Sequence, residues 1–425
     1  MKKSYLEMTR SELENEYSLV KAAYDALKAQ NLNIDMSRGK PGSDQLDISN
    51  GMLAVLKDGD DFKCEAGVDV RNYGVLAGIP ECRKLFADLL DVKPEMVIIG
   101  GNSSLSLMYD YVAQCMFNGA GFKPWAMQGK VRFLCPCPGY DRHFAICQYL
   151  GIEMINIPMT DNGPDTDEIE KYIADPSVKG MFCVPKYSNP QGITYSDDVV
   201  RRIASLTPAA DDFRIIWDNA YCVHELTEND GDVLLNIFDV LPERNKNMVI
   251  EVASTSKISY PGAGVSCLVS SEENIKEILK RLTVQSISYD KVNMLRHVKY
   301  FKTADGIKEH MKKHAAILKP KFDAVLKNLD SELSGLGIAA WKEPKGGYFI
   351  SLDVTAGSAS RVGVLCKEAG VTLTNVGATY PYGKDPTDSN IRIAPTFPAA
   401  EILAKAVCVL TVSVKLACLE NLISQ

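Results

Sequence analysis

Three polar residues stand just past strongly apolar runs, and each suits a particular chemistry. Lys257 follows the run MVIEVAS (248–254) and sits in the segment STSKIS (254–259), among small hydroxyl residues. A loop lysine is ordinarily a solvated cation. One withdrawn from water gives up its proton more readily and can bond an aldehyde as a Schiff base. Asp218 closes the apolar part of RIIWDNAY (214–221). An ionised carboxylate there is costly unless a cation holds it, and a protonated pyridine nitrogen would serve. Asn189 lies in SNPQG (188–192), behind GMFCVP (180–185). Taken alone, that segment reads as a turn.

In the chain order Asn189, Asp218, Lys257, separated by 29 and 39 residues, the three segments resemble the fold-type-I pyridoxal-phosphate aminotransferases of the aspartate aminotransferase superfamily, over most of the chain. The resemblance implies pyridoxal 5'-phosphate as cofactor. It makes Lys257 the Schiff-base and proton-shuttling lysine, and Asp218 the partner of the ring nitrogen. Tyr221 and Asn189 match the residues that hydrogen-bond the ring's phenolic oxygen. Ser254 and Ser256 match hydroxyls that help hold the phosphate. The backbone N–H groups of Asn102, Ser103 and Ser104, in GGNSSLSLMYD (100–110), would face the same phosphate from a helix start. Tyr140 in CPGYDRHF resembles the aromatic residue stacked on the ring. Tyr73 in NYGVLAGIPECR resembles the tyrosine that reaches the neighbouring subunit's phosphate, which implies a homodimer with shared sites. Arg392 in NIRIAP resembles the arginine that grips the substrate α-carboxylate in a two-pronged contact.

Two departures from the family pattern bear on function. Gly264 occupies the position of a phosphate-binding arginine, and Arg281, Lys186 and Arg296 are the candidates to replace it. In SRGKPG (37–42), which resembles the segment lining the substrate, Arg38 stands at a normally apolar place before Gly39, and Lys40 follows. A cation there suits a side-chain carboxylate, although two solvated loop charges are an equal reading. The expected activity is amino-group transfer from an amino acid, aspartate or glutamate, to a 2-oxo acid such as 2-oxoglutarate. Alanine, aromatic and aminoadipate-type donors stay open, as does a C–S or β/γ-lyase on the same fold. Arg392 argues against decarboxylation, because it holds the carboxylate in place.

The elements that must position these residues are legible as alternation. Short apolar runs at 96–101, 131–136, 154–159, 180–185, 214–221, 248–254 and 264–271 are separated by helical patterns. Runs of that kind suit strands buried on both faces, and intervening helices imply a mostly parallel, seven-stranded sheet in a large α/β domain over 48–325. A long amphipathic stretch follows from Glu272 to Leu333. Then KGGYFISLDV (345–354), a helix from about Ser358, TLTNV (372–376), NIRIAP (390–395) and a last helix suggest a smaller α+β domain, joined by the N-terminal segment (1–47 with 326–425). Ligands of such sheets sit beyond the carboxyl ends of the strands, where Asn189, Asp218 and Lys257 fall.

Composition excludes other classes. The chain has 425 residues, 46% of them hydrophobic, which suffices for more than one core. A net charge of −7 without a basic run argues against nucleic acid as a partner, and the segment ahead of Ser37 is too short for a DNA-binding module with its linker. The N-terminus lacks the apolar centre of a signal peptide. The apolar stretch from Ile402 to Leu419 is interrupted by Lys405 and Lys415 and reads as a core helix, so no membrane is expected. Twelve irregularly spaced cysteines fit reduced thiols in the cytoplasm. Cys135 and Cys137 lack the second ligand pair of a zinc site, so no metal is expected.

Overall fold

The computed structural model describes residues 3–425. Its strands in chain order are β1 (Ile34–Met36), β2 (Val97–Ile99), β3 (Arg132–Cys137), β4 (Glu153–Thr160), β5 (Gly163–Pro164), β6 (Val178–Cys183), β7 (Arg214–Asp218), β8 (Val249–Ser254), β9 (Ser266–Val269), β10 (Ala339–Trp341), β11 (Ile350–Val354), β12 (Val371–Leu373) and β13 (Asn390–Ile393). The large sheet runs in the order β2-β9-β8-β7-β6-β3-β4-β5. Strands β4, β3, β6, β7 and β8 are mutually parallel, whereas β9 is antiparallel to both of its neighbours. The seven expected strands are all present. The eighth, the two-residue β5, pairs antiparallel with the end of β4 at the sheet edge and is too short to leave a pattern in the sequence.

Burial on both faces explains why these runs are continuously apolar. Successive residues of a strand face opposite sides. Ile216 packs with Phe182, Ile250 and the helix Ser104–Phe117 on one side. Ile215 and Trp217 pack with Ile169, Val199 and Ile203 of the helices Thr166–Ile173 and Asp197–Ala204 on the other. A parallel sheet covered on two sides follows.

A second assembly carries β11 between antiparallel β10 and β13, and a parallel pair, β1 with β12. Helices Arg10–Lys28, Ala304–Leu333, Ala359–Glu368 and Ala400–Ser424 share its core. The last of these is long and apolar enough to cross a membrane, but most of it is buried inside the protein. The first begins at a reciprocal cap: Glu12 N–H donates to Thr9 Oγ1 at 3.4 Å and Thr9 N–H to Glu12 Oε2 at 2.7 Å.

The stretch from Glu272 to Leu333 is three helices: Glu272–Gln285, Lys291–Phe301 and Ala304–Leu333. Asp290 caps the second through Asn293 N–H, Lys302 leaves it at φ 66°, and Thr303 caps the third through Gly306 N–H. Amphipathic periodicity runs through all three, so it hides the breaks that these caps make.

Candidate active site

Parallel neighbours bring the ends of β3, β6, β7 and β8 to one edge of the sheet. Asp218 ends β7 opposite Val252 of β8, and β8 ends at Ser254, just ahead of Lys257. Asn189 follows β6 and Tyr140 follows β3. Lys257, Tyr221, Tyr140, Asn189, Arg38 and Arg392 all line one cavity of about 530 Å³, with Gly39 beside them. A larger open groove of about 1040 Å³ lies elsewhere, around Leu76, Phe122 and Lys276, and holds none of these groups.

The Lys257 ammonium stands 5.2 Å from the centre of the Tyr221 ring and 5.8 Å from that of Tyr348. Burial lowers its pKa below the ordinary lysine value, and the charge of Asp218 opposes that shift. Tyr221 is buried, and desolvation, aided by Tyr140 and Asp218, pushes its phenol well up. At neutral pH it is a hydrogen-bond donor.

Asp218 is buried, with Oδ2 lying 3.1 Å from His143 Nε2. Its Oδ1 is buried and has no hydrogen-bond partner among the described residues. A buried acceptor of this kind calls for a donor, and a protonated ring nitrogen has the right chemistry. His143 is wedged between Phe182, stacked at 4.4 Å, and the edge of Tyr140 at 5.0 Å. His143 was not read as a site residue from the sequence, although it stands three residues beyond Tyr140 in CPGYDRHF. A lone histidine there carries no signal until the fold brings Asp218 to it.

Ser254, Ser256, Asn102, Ser103 and Ser104 form a second cluster next to the lysine segment. Ser256 Oγ donates to the Asn102 carbonyl at 2.8 Å, and Ser254 Oγ to Ser256 Oγ at 3.0 Å. Ser103 is the N-cap of the helix Ser104–Phe117, yet no side chain caps the turn. The first N–H groups of a helix have no partner within it, and the helix end is positive, a setting suited to a phosphate. Asn102 Nδ2 ties the cluster to the Pro261 carbonyl at 3.1 Å.

Gly264, the position of the family arginine, lies close against backbone. A Cβ at this position would lie 3.1 Å from the Tyr260 carbonyl oxygen and 3.2 Å from Ser256 N. Of the candidate substitutes, Arg281 forks onto Asp110 and Lys186 is paired with Glu225 at 2.5 Å and with the Cys222 carbonyl. Arg296 bonds Asn293 Oδ1, while Asn293 Nδ2 donates to the carbonyls of Ala263 and Gly264; the Nε of Arg296 is buried without a partner.

On the substrate side, buried Arg392 donates from Nη1 to Asn189 Oδ1 at 3.2 Å and to Asp141 Oδ1 at 2.8 Å. Phe349 lies 5.0 Å from its guanidinium, and Gly39 leaves room for that ring: a Cβ at Gly39 would stand 2.4 Å from Phe349 Cζ. Arg38 lines the cavity, its carbonyl accepting from Lys40 N–H at 3.0 Å, and its side chain makes no hydrogen bond or ion pair among the described residues. Lys40 is committed, its ammonium 3.9 Å above the Phe397 ring. Tyr73 does not join the cavity; its side chain is 74% exposed.

Sheet, lysine, carboxylate and paired arginine together define a fold-type-I aminotransferase. The Aspartate amino-transferase family model matches residues 8–425, and the chain belongs to that family. An aspartate aminotransferase of Corynebacterium glutamicum is 45% identical over 95% of this chain and 93% of its own length. The crystal structure of an aspartate transaminase from the same species superposes with a TM-score of 0.95 at 44% identity, covering 98% of this chain and 99% of that one. At 19% identity, the α-aminoadipate aminotransferase LysN of Thermus thermophilus, solved with N-(5'-phosphopyridoxyl)-L-leucine, shares the fold with a TM-score of 0.73 over 92% and 93% of the two chains.

Proposed function

We propose that the protein is a cytoplasmic, homodimeric, pyridoxal-phosphate-dependent aminotransferase that moves the amino group of aspartate or glutamate to a 2-oxo acid such as 2-oxoglutarate. The observation that carries the cofactor is the unpartnered, buried Oδ1 of Asp218 at the same sheet edge as Lys257. Pyridoxal phosphate, when bound, supplies an electron-withdrawing ring that stabilises negative charge at the substrate Cα. Asp218 Oδ1 would accept the ring N–H while His143 fixes the other oxygen. Tyr221 and Asn189 would bond the phenolic oxygen, and Tyr140 would cover one ring face. Ser254, Ser256 and the N–H groups of Asn102, Ser103 and Ser104 would hold the phosphate, with Arg296 supplying the cation that Gly264 cannot. Lys257 Nζ, its proton affinity lowered by burial, would take the proton from the substrate Cα and carry it until it is given back in the transfer.

Two features support a dicarboxylic donor. Arg392 offers the α-carboxylate a buried guanidinium, and Arg38 brings an unpaired second cation to the same cavity. The relatives named as aspartate aminotransferases at 44–45% identity point the same way. The twelve thiols are all free, in keeping with a reducing compartment. The homodimer reading leans on Tyr73, whose exposed ring in the single chain suits a role in a neighbour's site.

A panel of amino donors with 2-oxoglutarate as acceptor tests the reading. Aspartate and glutamate should give the highest kcat/KM. Preference for alanine or an aromatic donor would overturn the substrate assignment. Release of ammonia and pyruvate from a donor bearing a β-leaving group, without transfer, would favour a lyase.

A further inference from the structure

Arg392 already holds a carboxylate. Its Nη1 donates to Asp141 Oδ1 at 2.8 Å, its Nε to Thr374 Oγ1 at 3.3 Å, and the guanidinium is buried. Asp141 is less enclosed, with 31% of its side chain exposed, and it lines the cavity that Lys257 lines. Its second oxygen, Oδ2, lies 4.0 Å from Arg142 Nε, on a side chain that is half exposed and lines the cavity too. Asp141 is also the first residue of the helix Asp141–Tyr149, where a negative charge is favoured without any partner. The buried guanidinium depends on the contact more than the carboxylate does. A substrate α-carboxylate arriving at Arg392 therefore meets a resident anion on the same group, and two carboxylates that close repel each other. Arg142 is the nearby cation to which Asp141 can turn.

We propose that Asp141 is a resident competitor for the α-carboxylate site, and that amino-acid binding exchanges carboxylates: the substrate takes Arg392 while Asp141 passes to Arg142. The inference rests on the reading of Arg392 as the α-carboxylate group. Between turnovers Asp141 compensates the buried cation, and in the complex the substrate does so. The exchange takes the same toll on every amino donor, so Asp141 and Arg142 set affinity in general, whereas Arg38 discriminates among side chains.

The test is a double-mutant cycle on the enzyme reconstituted with pyridoxal phosphate. Dissociation constants for L-aspartate and L-alanine are measured from single-turnover half-reactions. Asp141→Asn should tighten both donors by on the order of tenfold, because an uncharged amide yields Arg392 more easily. Arg142→Ala should weaken both by a similar factor, and it should change neither once Asp141 is already Asn. Weaker or unchanged binding in Asp141→Asn would overturn the proposal and leave Asp141 as a buttress of Arg392. An Arg142→Ala loss that persists in the Asp141→Asn background would also overturn it. A loss confined to aspartate in both backgrounds would make Arg142 the reader of the distal carboxylate instead. Failure of the underlying reading shows separately: Arg392→Ala would then leave both donors bound as before, whatever Asp141 does.

Discussion

Arg392 and Arg38 differ in what holds them, and that difference separates their expected roles. Arg392 is buried, with Nη1 and Nε held by Asp141, Asn189 and Thr374, while the Arg38 side chain lines the cavity with no such partner among the described residues. Arg392→Ala should therefore weaken aspartate and alanine alike. Arg38→Ala should lower kcat/KM for aspartate and glutamate by roughly thirtyfold, the effect of losing a charged contact of about 2 kcal/mol, and spare alanine. Equal losses for aspartate and alanine would make Arg38 structural. Arg296 carries a parallel expectation: Arg296→Ala should weaken cofactor binding, read as a raised Kd for pyridoxal phosphate, and unchanged affinity would remove it from the phosphate site. At this scale the sequence was most informative where a polar residue broke an apolar run, as Asp218 and Lys257 do. It was silent where chemistry depends on a contact between distant segments. His143 meets Asp218, and Asp141 meets Arg392, only through the sheet order.

The lysine-bearing element is held by histidines on helices that follow much later in the chain. His297 Nε2 lies 3.1 Å from Thr255 Oγ1 and 2.9 Å from Ser259 Oγ, while its Nδ1 bonds the Asn293 carbonyl. His310 Nε2 meets the Ile258 carbonyl at 3.0 Å, and His314 lies 3.3 Å behind it. Burial lowers each of these three histidines to about 4. In the unfolded chain they would titrate near 6.5. A depressed folded-state pKa means the unfolded state binds more protons between those values, so stability is present above about pH 6.5 and is lost as pH falls towards about 4. The loss should be on the order of 1–3 kcal/mol per histidine. Thermal unfolding followed from pH 7.5 to 4.5 should show a falling Tm, with a shallower slope in His297→Gln. An identical slope in that variant would contradict the account of His297. None of this was legible beforehand, because the helix Lys291–Phe301 was not separable from its neighbours by periodicity, and its histidine had no partner in view.

For the whole molecule, the alternation of apolar runs with helical patterns was enough to read the large sheet, since burial on two faces leaves a strong trace in composition. Strands β1 and β10 left none: with three residues each, they depend for their definition on β12, which β1 meets across most of the chain's length, and on nearby β11, which β10 meets. The exposed ring of Tyr73 has its consequence here as well. In sedimentation at assay concentration the protein should behave as a dimer, and Tyr73→Phe should weaken cofactor binding even though Tyr73 stands outside the Lys257 cavity of its own chain. An active monomer would contradict the shared-site reading.

The whole reading of the site turns on Lys257 bonding the cofactor's carbonyl carbon. Borohydride reduction of the enzyme reconstituted with pyridoxal phosphate, followed by peptide mapping, tests it directly. A phosphopyridoxyl group should appear on the peptide containing Lys257, and Lys257→Ala should show neither label nor transamination. A label on another lysine, or a Lys257→Ala protein that still transfers amino groups at the normal rate, would contradict it.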